Sequence, residues 1–336
     1  MVKLGILDYA QIDEGGSAQQ ALQNTVQLAQ LAEALGYERF WMTEHHNVPA
    51  FASSSPELIM MRLADATERI RLGSGGVMLP HYSPYKVAEN FRILEAFHPN
   101  RIDLGIGNTV GTAIVNRTLN ELKKGKINYE QSIDDLTRYL SDQADETHRF
   151  SGITANPVIS TFPQMWVLST SVRNAKMAAK FGIGYTFGLF PHAGADKLTI
   201  GIQAAKTYRN EFQPSPFMAA PKVSIAPFVV AAETNEQAEA YAEALDLWLL
   251  GAKNNFSDLR EFPSVETARQ YPYTKAEKEI IEANRSRMIV GDIESVTEQL
   301  NALINQFKAD EVLLVLLMPG LGIRKKAIEL LAGAFH

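Results

Sequence analysis

Short apolar strand patterns alternate with longer helical patterns along almost the whole of this 336-residue chain. The strand patterns number eight: Lys3–Asp8, Arg39–Thr43, Ile70–Gly75, Arg101–Ile106, Met165–Ser169, Gly184–Gly188, Val223–Ala231 and Glu311–Leu317. They are nearly continuous apolar runs, which is typical of parallel strands covered by helices on both faces. Eight strand–helix units in series predict a closed (β/α)8 TIM barrel, and we expect residues 1–336 to form it as one domain.

Two segments interrupt this alternation and are predicted to be insertions. The first, Ser141–Pro163, comes after strand four, and the second, Gly251–Arg287, comes after helix seven. Neither has a clear strand or helix period, so we expect irregular structure in both. Because loops at the strand ends of a barrel bind its ligands, these segments are expected to hold the substrate. Asp292 is predicted to cap the helix that follows the second insertion.

The composition excludes several classes of function. The formal net charge is -6 and the basic residues form no long run, so neither nucleic-acid binding nor a polybasic membrane patch is supported. No apolar stretch approaches the roughly 20 residues of a spanning helix. The absence of cysteine excludes disulfides, thiolate metal ligands and cysteine nucleophiles, and it fits a reducing compartment. We therefore expect a cytoplasmic protein.

The active site of a (β/α)8 barrel lies in the loops that follow the strands. The sharpest cluster there is Glu44-His45-His46, after strand two. Two histidines and a carboxylate are possible zinc or iron ligands, but successive strand residues point to opposite faces. Two other interpretations remain open. A histidine can fill a polar gap, or it can act as an acid, a base or a hydrogen-bonding group beside a cofactor, because imidazole titrates near neutrality.

Two further strand ends each allow a structural and a functional interpretation. Gly75-Gly76 predicts either a bend or bulge, or a close approach of the backbone to a flat ligand. Ser169-Thr170-Ser171 predicts either an ordinary N-cap, or hydroxyl and N–H groups that bind a phosphate. The spacing of Gly105, Gly107 and Gly111 does not match the dinucleotide-binding fingerprint, so we reject an NAD-binding domain.

A set of ordered segments extends over nearly the whole chain: Gly36–His46, Arg71–His81, Pro84–Glu89, Pro99–Gly107, Trp166–Ser171 and Ile289–Asp292. Together they resemble the bacterial luciferase-like, flavin-dependent monooxygenase family. The resemblance implies FMN as cofactor, in its reduced form during turnover, with O₂ and a small organic molecule as substrates. It also implies a separate flavin reductase as partner and a homodimer. A deazaflavin coenzyme is the alternative to FMN.

The resemblance also implies roles for individual residues. His45 matches the family's catalytic histidine near the flavin ring, with proton transfer or hydrogen bonding to an oxygenated flavin or the substrate as its role. Glu44 would orient the site. Gly75-Gly76 matches a non-prolyl cis peptide against which the ring packs, and Ser169–Ser171 match residues near the flavin phosphate. No metal ligand is implied.

Asn108 departs from the family pattern. Many relatives carry arginine at this position, after the Gly-x-Gly of strand four, and its fork of charged donors pairs with the flavin phosphate. Asparagine cannot replace that fork, so either phosphate affinity is lower or another basic residue, such as Arg173, compensates. The departure leaves a non-catalytic flavin-binding relative as an alternative function. A metal-dependent barrel hydrolase using Glu44, His45 and His46 is a further alternative.

Overall fold

The computed structural model of the protein describes residues 2–123, 125, 128–143, 146–191, 194, 196–256 and 258–335. Its strands are β1 Lys3–Asp8, β2 Arg39–Met42, β3 Arg71–Met78, β4 Ile102–Gly107, β5 Gln164–Ser169, β6 Gly184–Gly188, β7 Val223–Ala226, β8 Phe228–Ala232, β9 Met288–Asp292 and β10 Glu311–Leu314. Its α-helices are α1 Ala18–Ala34, α2 Pro56–Ala66, α3 Pro84–Phe97, α4 Ala113–Leu119, α5 Tyr129–Leu140, α6 Val172–Lys180, α7 Lys197–Glu211, α8 Asn235–Leu250, α9 Val265–Gln270, α10 Lys275–Arg285, α11 Ile293–Phe307 and α12 Leu321–Phe335.

Eight of the strands close into a barrel in the order β1-β10-β7-β6-β5-β4-β3-β2. Every neighbouring pair in this barrel is parallel. The predicted (β/α)8 barrel is therefore confirmed, and the carboxyl ends of all eight strands meet at one end of it. Among the described residues, no helix combines the length and the apolar character needed to cross a membrane.

The prediction of one long seventh strand, Val223–Ala231, is wrong. Pro227 divides this stretch into β7, which belongs to the barrel, and β8, which leaves it. Proline lacks an N–H group, so it cannot continue the ladder of hydrogen bonds. Strand β8 instead pairs with β9 in a separate two-stranded parallel sheet. The eighth predicted strand, Glu311–Leu317, likewise ends early, at Leu314.

The second insertion is more regular than its sequence pattern predicted. Gly251–Arg287 contains α9 and α10, whereas the described residues of Ser141–Pro163 form neither helix nor strand, as predicted. Helix α10 begins with a capping box in which the Thr274 and Glu277 side chains each bond to the other's backbone N–H group. This T-x-x-E signal was present in the sequence. Asp292 caps α11 as predicted, accepting from the Ser295 N–H group at 2.9 Å.

Large side chains fill the barrel, and glycines make room for them. The rings of Trp41 and Trp166 meet edge to face inside it, with centroids 5.6 Å apart. A Cβ atom added to Gly73 would lie 2.5 Å from Trp41, and one added to Gly184 would lie 2.3 Å from Trp166. These two glycines therefore allow two tryptophans to occupy one layer of the barrel.

A buried group of charged side chains closes the amino-terminal end of the barrel. Arg39 on β2 forms ion pairs with Asp103 on β4 and, at 2.6 Å, with Glu311 on β10. Arg71 on β3 also pairs with Asp103, at 2.7 Å. Burial alone would raise the pKa of Asp103, but the two arginines hold it below its usual range. We call Arg39, Arg71, Asp103 and Glu311 the basal ion cluster.

Candidate active site

The residues predicted for the site follow four strands that are neighbours in the barrel. Glu44 and His45 follow β2, Gly75-Gly76 lies within the last half of β3, Asn108 follows β4, and Ser169–Ser171 joins β5 to α6. All of them therefore lie at the carboxyl-terminal end of the barrel, opposite the basal ion cluster. Their contacts differ and give each residue a different capacity for chemistry.

The His45 imidazole is held at one nitrogen, while the other has no partner. Nδ1 lies 3.0 Å from Thr43 Oγ1, which in turn lies 3.1 Å from Ser53 Oγ. The backbone N–H group of His45 also bonds to the Ser53 carbonyl oxygen at 2.8 Å. Within the described part of the chain, Nε2 makes no hydrogen bond. This nitrogen is therefore available to a ligand.

Aromatic side chains surround the His45 ring. Tyr9 stacks on it with centroids 4.9 Å apart, and Phe51 meets it edge to face at 5.2 Å. Phe51 contacts Trp248, and Tyr9 contacts Phe190. Burial, together with the nearby His46, lowers the pKa of His45 from 6.5 to about 4. The imidazole is therefore neutral at pH 7 and can both accept and donate a hydrogen bond. We call Tyr9, His45, Phe51, Phe190 and Trp248 the aromatic pocket.

Glu44 points away from His45 and uses both of its carboxylate oxygens within the protein. Oε2 accepts from the Met78 N–H group at 2.8 Å, and Oε1 accepts from the Tyr82 hydroxyl at 2.5 Å. His46 Nε2 lies 2.7 Å from the same Oε1. Glu44 therefore ties the end of β2 to the end of β3. No pattern in the sequence indicated the bond between Tyr82 and Glu44.

Gly75-Gly76 forms a β-bulge and a cis peptide bond. The pairing of β3 with β4 shifts between Ser74 and Val77, and the peptide between the two glycines is cis. A Cβ atom on Gly76 would lie 2.8 Å from the Gly105 carbonyl oxygen. The bulge anticipated as a structural interpretation is thus present, together with the cis peptide implied by the family resemblance. A role in packing against a flavin stays a prediction.

The Ser169–Ser171 hydroxyls serve the start of helix α6. Ser171 is the N-cap and accepts from the Asn174 N–H group at 3.3 Å. Ser169 Oγ accepts from the Ser171 N–H group at 3.1 Å and from Asn174 Nδ2 at 3.0 Å. Thr170 is exposed. The structural interpretation is therefore confirmed for Ser171, and phosphate binding by these residues stays a prediction.

Asn108 is exposed at the edge of a cavity of about 940 Å³ between α3, α5 and the segment that follows α5. Tyr82, Tyr129, Lys123 and Arg149 also line this cavity. The Tyr129 hydroxyl is buried and has no hydrogen-bond partner among the described residues. Lys123 Nζ donates to the Pro80 carbonyl oxygen at 2.9 Å. The cavity thus offers a polar ligand a hydroxyl donor and positive charge.

The structure gives the metal-hydrolase alternative no support. No group of three or more His, Asp or Glu side chains in the described residues is arranged to hold a metal ion. Glu44 and His46 bond to each other, whereas the His45 ring packs against Tyr9. The three side chains therefore do not converge on one point.

Comparison of the sequence with known proteins identifies relatives that extend over its whole length. The sequence model of the luciferase-like monooxygenases matches residues 2–310. The uncharacterized protein YwcH of Bacillus subtilis is 44% identical over 100% of this chain and 99% of its own length. The N-acetyl-S-alkylcysteine monooxygenase of the same species is 36% identical over 93% of this chain and 91% of its own length.

Solved structures show the same fold. Apo-MsnO8 has a TM-score of 0.87 at 33% identity and covers 100% of this chain and 98% of its own. The oxygenating constituent of 3,6-diketocamphane monooxygenase from Pseudomonas putida, solved with FMN, has a TM-score of 0.70 at 16% identity. It covers 99% of this chain and 97% of its own. A deazaflavin-dependent secondary alcohol dehydrogenase has a TM-score of 0.67 at 14% identity, and it covers 100% of this chain and 99% of its own. The two more distant structures show likeness of fold alone.

Proposed function

The chain belongs to the luciferase-like monooxygenase family, and from this premise we propose that it uses reduced FMN and O₂ to oxygenate a small organic substrate. The family and its named relatives identify an enzyme with a flavin-type cofactor. FMN is preferred to a deazaflavin because related enzymes of over 30% identity are named as monooxygenases. Reduced flavin, when bound, supplies the electrons that activate O₂.

The observation that carries this proposal is the arrangement of His45. Thr43 holds Nδ1 at 3.0 Å and so sets the ring orientation, which leaves Nε2 directed to a ligand. The pKa of about 4 keeps the imidazole neutral near pH 7. His45 is then the residue that hydrogen-bonds to the reacting group and accepts or returns its proton at Nε2. The aromatic pocket limits the access of water to this nitrogen.

The cavity beside Asn108 supports flavin binding. The Tyr129 hydroxyl, which has no partner among the residues that the structure describes, is suited to an oxygen-rich ligand, and Lys123 supplies positive charge that Asn108 does not. Arg173, the other basic residue considered, is exposed on α6 and does not line this cavity. We propose that Lys123 and Tyr129 bind the phosphate-bearing end of FMN, with Gly75-Gly76 against its ring and Ser169–Ser171 near the phosphate.

The remaining parts of the proposal concern the substrate and the partners. The name of the relative that is 36% identical makes N-acetyl-S-alkylcysteines the first compounds to test. A separate flavin reductase, a homodimeric state and a cytoplasmic location follow from the family resemblance and the lack of cysteine.

The test is reconstitution of the purified chain with FMN and an added flavin reductase. We expect FMN to bind in at least one redox state, and N-acetyl-S-methylcysteine to increase O₂ uptake. His45→Asn should keep flavin affinity and lower turnover by roughly 100-fold or more, because it removes the proton-transfer group. His98→Asn is the matched control, because His98 lies at the end of α3 beside Asp65, outside the site.

Three outcomes contradict the proposal. The first is that flavin fails to bind in either redox state. The second is binding of a deazaflavin in place of FMN. The third is that His45→Asn and His98→Asn turn over equally fast, which would remove His45 from the chemistry.

A further inference from the structure

Two arginines at the end of α10 differ sharply in their electrostatic surroundings. Arg285 pairs with Asp246 at 2.7 Å and with Glu239 at 2.9 Å. Arg287, two residues later, has no carboxylate partner in the described part of the chain. The contrast shows that carboxylates are available around this helix end, but that none of those in the described residues pairs with Arg287.

Neutral groups hold the Arg287 guanidinium. Nη2 donates to Asn284 Oδ1 at 2.7 Å, and Nη1 donates to the Phe190 carbonyl oxygen. Nε is buried without a partner among the described residues, and the guanidinium carbon lies 5.5 Å from the centre of the Phe228 ring. Burial lowers the pKa of Arg287. A partly buried cation without a counter-charge is costly, so a bound anion would relieve this cost.

Arg287 lies beside the aromatic pocket that contains His45. Its hydrogen bond is accepted by the backbone carbonyl oxygen of Phe190. The centroid of the Phe190 ring lies 6.4 Å from that of Tyr9, and Tyr9 stacks on His45. The charge of Arg287 reaches Tyr9, where it partly offsets the effect of burial on the tyrosine pKa. An anion bound by Arg287 would therefore be attached to a molecule that also reaches His45.

Lys197 adds positive charge to the same region. Its Nζ donates to the carbonyl oxygen of Leu189, next to Phe190, at 2.6 Å. Burial and the charge of Arg287 lower the pKa of Lys197 to about 7. Lys197 and Arg287 donate to the carbonyl oxygens of consecutive residues, Leu189 and Phe190, so an anion bound there would meet both charges.

We propose that Arg287 binds the carboxylate of the substrate and so places the oxidisable part of that molecule against His45. The planar guanidinium matches a carboxylate in geometry as well as in charge. This inference rests on the proposed function, because it treats the aromatic pocket as the substrate site. It defines the substrate class as organic acids with an apolar portion.

Binding of N-acetyl-S-methylcysteine and of its methyl ester tests the inference without turnover. Calorimetric titration of the flavin-free and FMN-loaded protein should show tighter binding of the acid than of the ester. Arg287→Gln should lose roughly 30-fold or more of the acid affinity and leave the ester unchanged. Arg287→Lys should keep part of the preference, because it keeps the charge.

Arg285→Gln is the matched control, because it removes an equal charge two residues away. It should leave the ratio of acid to ester affinity unchanged even where it lowers thermal stability. The inference is wrong if the wild-type protein binds the acid and the ester with equal affinity, or binds neither. It is also wrong if Arg287→Gln lowers the affinities for the acid and the ester by the same factor.

The flavin phosphate is an alternative anion with the same chemistry. The ratio of FMN to riboflavin affinity, measured in the same variants, separates the two sources. A fall of that ratio in Arg287→Gln with an unchanged acid preference would assign Arg287 to the flavin and overturn the inference. Absence of flavin binding beside an intact acid preference would contradict the proposed function and not the role of Arg287.

Discussion

Glu44 and His45 are adjacent in sequence, yet their side chains have opposite uses. Successive residues of an extended strand point in opposite directions, so one of the two faces the protein and the other faces the pocket. The Glu44 oxygens are occupied by Met78, Tyr82 and His46, and the carboxylate acts as a positioning group. Only His45 keeps a free nitrogen. This division supports His45 as the proton-transfer residue.

The lowered pKa of His45 predicts a specific dependence of stability on pH. Its folded-state pKa of about 4 lies below the ordinary value of 6.5, so the unfolded chain takes up this proton first as the pH falls. The contribution to stability is complete above pH 6.5 and is lost as the pH falls toward 4. Over this range the free energy of unfolding of His45→Asn should therefore fall by about 1–2 kcal/mol less than that of the wild type. The partial exposure of the ring makes this difference smaller than the full pKa shift would give.

Urea unfolding of both proteins at pH 7 and pH 4.5 measures this difference. Equal losses of unfolding free energy in the two proteins would show that His45 carries no such shift.

At the scale of elements, β3 and β4 approach each other too closely for side chains at their glycines. A Cβ atom on Gly105 would lie 2.1 Å from the Ser74 carbonyl oxygen, and Ser74 Oγ donates to the Gly105 carbonyl oxygen at 2.8 Å. Backbone atoms of a barrel strand cannot give way as the end of a flexible side chain can. The bulge at Gly75-Gly76 therefore depends on glycine in both strands.

Gly105→Ala should destabilise the protein by about 3 kcal/mol, because the added methyl group overlaps backbone. Gly333→Ala is the control, since its Cβ atom would meet nothing within 4 Å in the exposed last turn of α12. It should stabilise the protein by about 0.5–1 kcal/mol through helix propensity. Thermal and urea unfolding compare the two variants. A Gly105→Ala protein as stable as the wild type would contradict the packing described for β3 and β4.

At the scale of the whole molecule, the two ends of the barrel carry different kinds of side chain. The basal ion cluster joins β2, β3, β4 and β10, elements far apart in sequence, and it lies opposite the aromatic pocket. Arg39, Asp103 and Glu311 are buried, Arg71 is half-buried, and each is paired within the cluster. Such a cluster at the amino-terminal ends of barrel strands contributes to stability, whereas the carboxyl-terminal ends carry the chemistry.

Arg39→Met should destabilise the protein by about 3–5 kcal/mol, because it leaves Asp103 and Glu311 buried without their shared partner. Flavin affinity of the folded fraction should not change. The triple variant Arg39→Met, Asp103→Asn, Glu311→Gln should recover part of the loss by removing those charges. Chemical unfolding and FMN titration measure both effects. A change in flavin affinity without loss of stability would contradict the separation of the two ends.

Local sequence patterns were sufficient to predict most strands of the barrel. They were insufficient for elements whose structure depends on residues distant in the chain. The apolar runs of β1 to β6 and the caps at Ser171 and Asp292 were readable because strand burial and helix capping involve neighbouring residues. The split at Pro227 was missed because β8 is stabilised by β9, about 60 residues later in the chain. The T-x-x-E signal at Thr274 is present in the sequence, but the segment around it lacks a clear helical period.

By itself, the sequence determined the barrel, the end of it that carries the site, and the candidate residues at that end, because these depend on periodicity and on the order of the strands. Only the tertiary structure decided which groups are bonded: within the described part of the chain, His45 Nε2 has no hydrogen-bond partner, both Glu44 oxygens have one, and Arg287 has no carboxylate partner beside the aromatic pocket. Those properties arise from contacts between residues far apart in sequence, such as Tyr9 with Phe190 and Phe190 with Arg287. No local pattern records which charges are left unpaired when the chain closes.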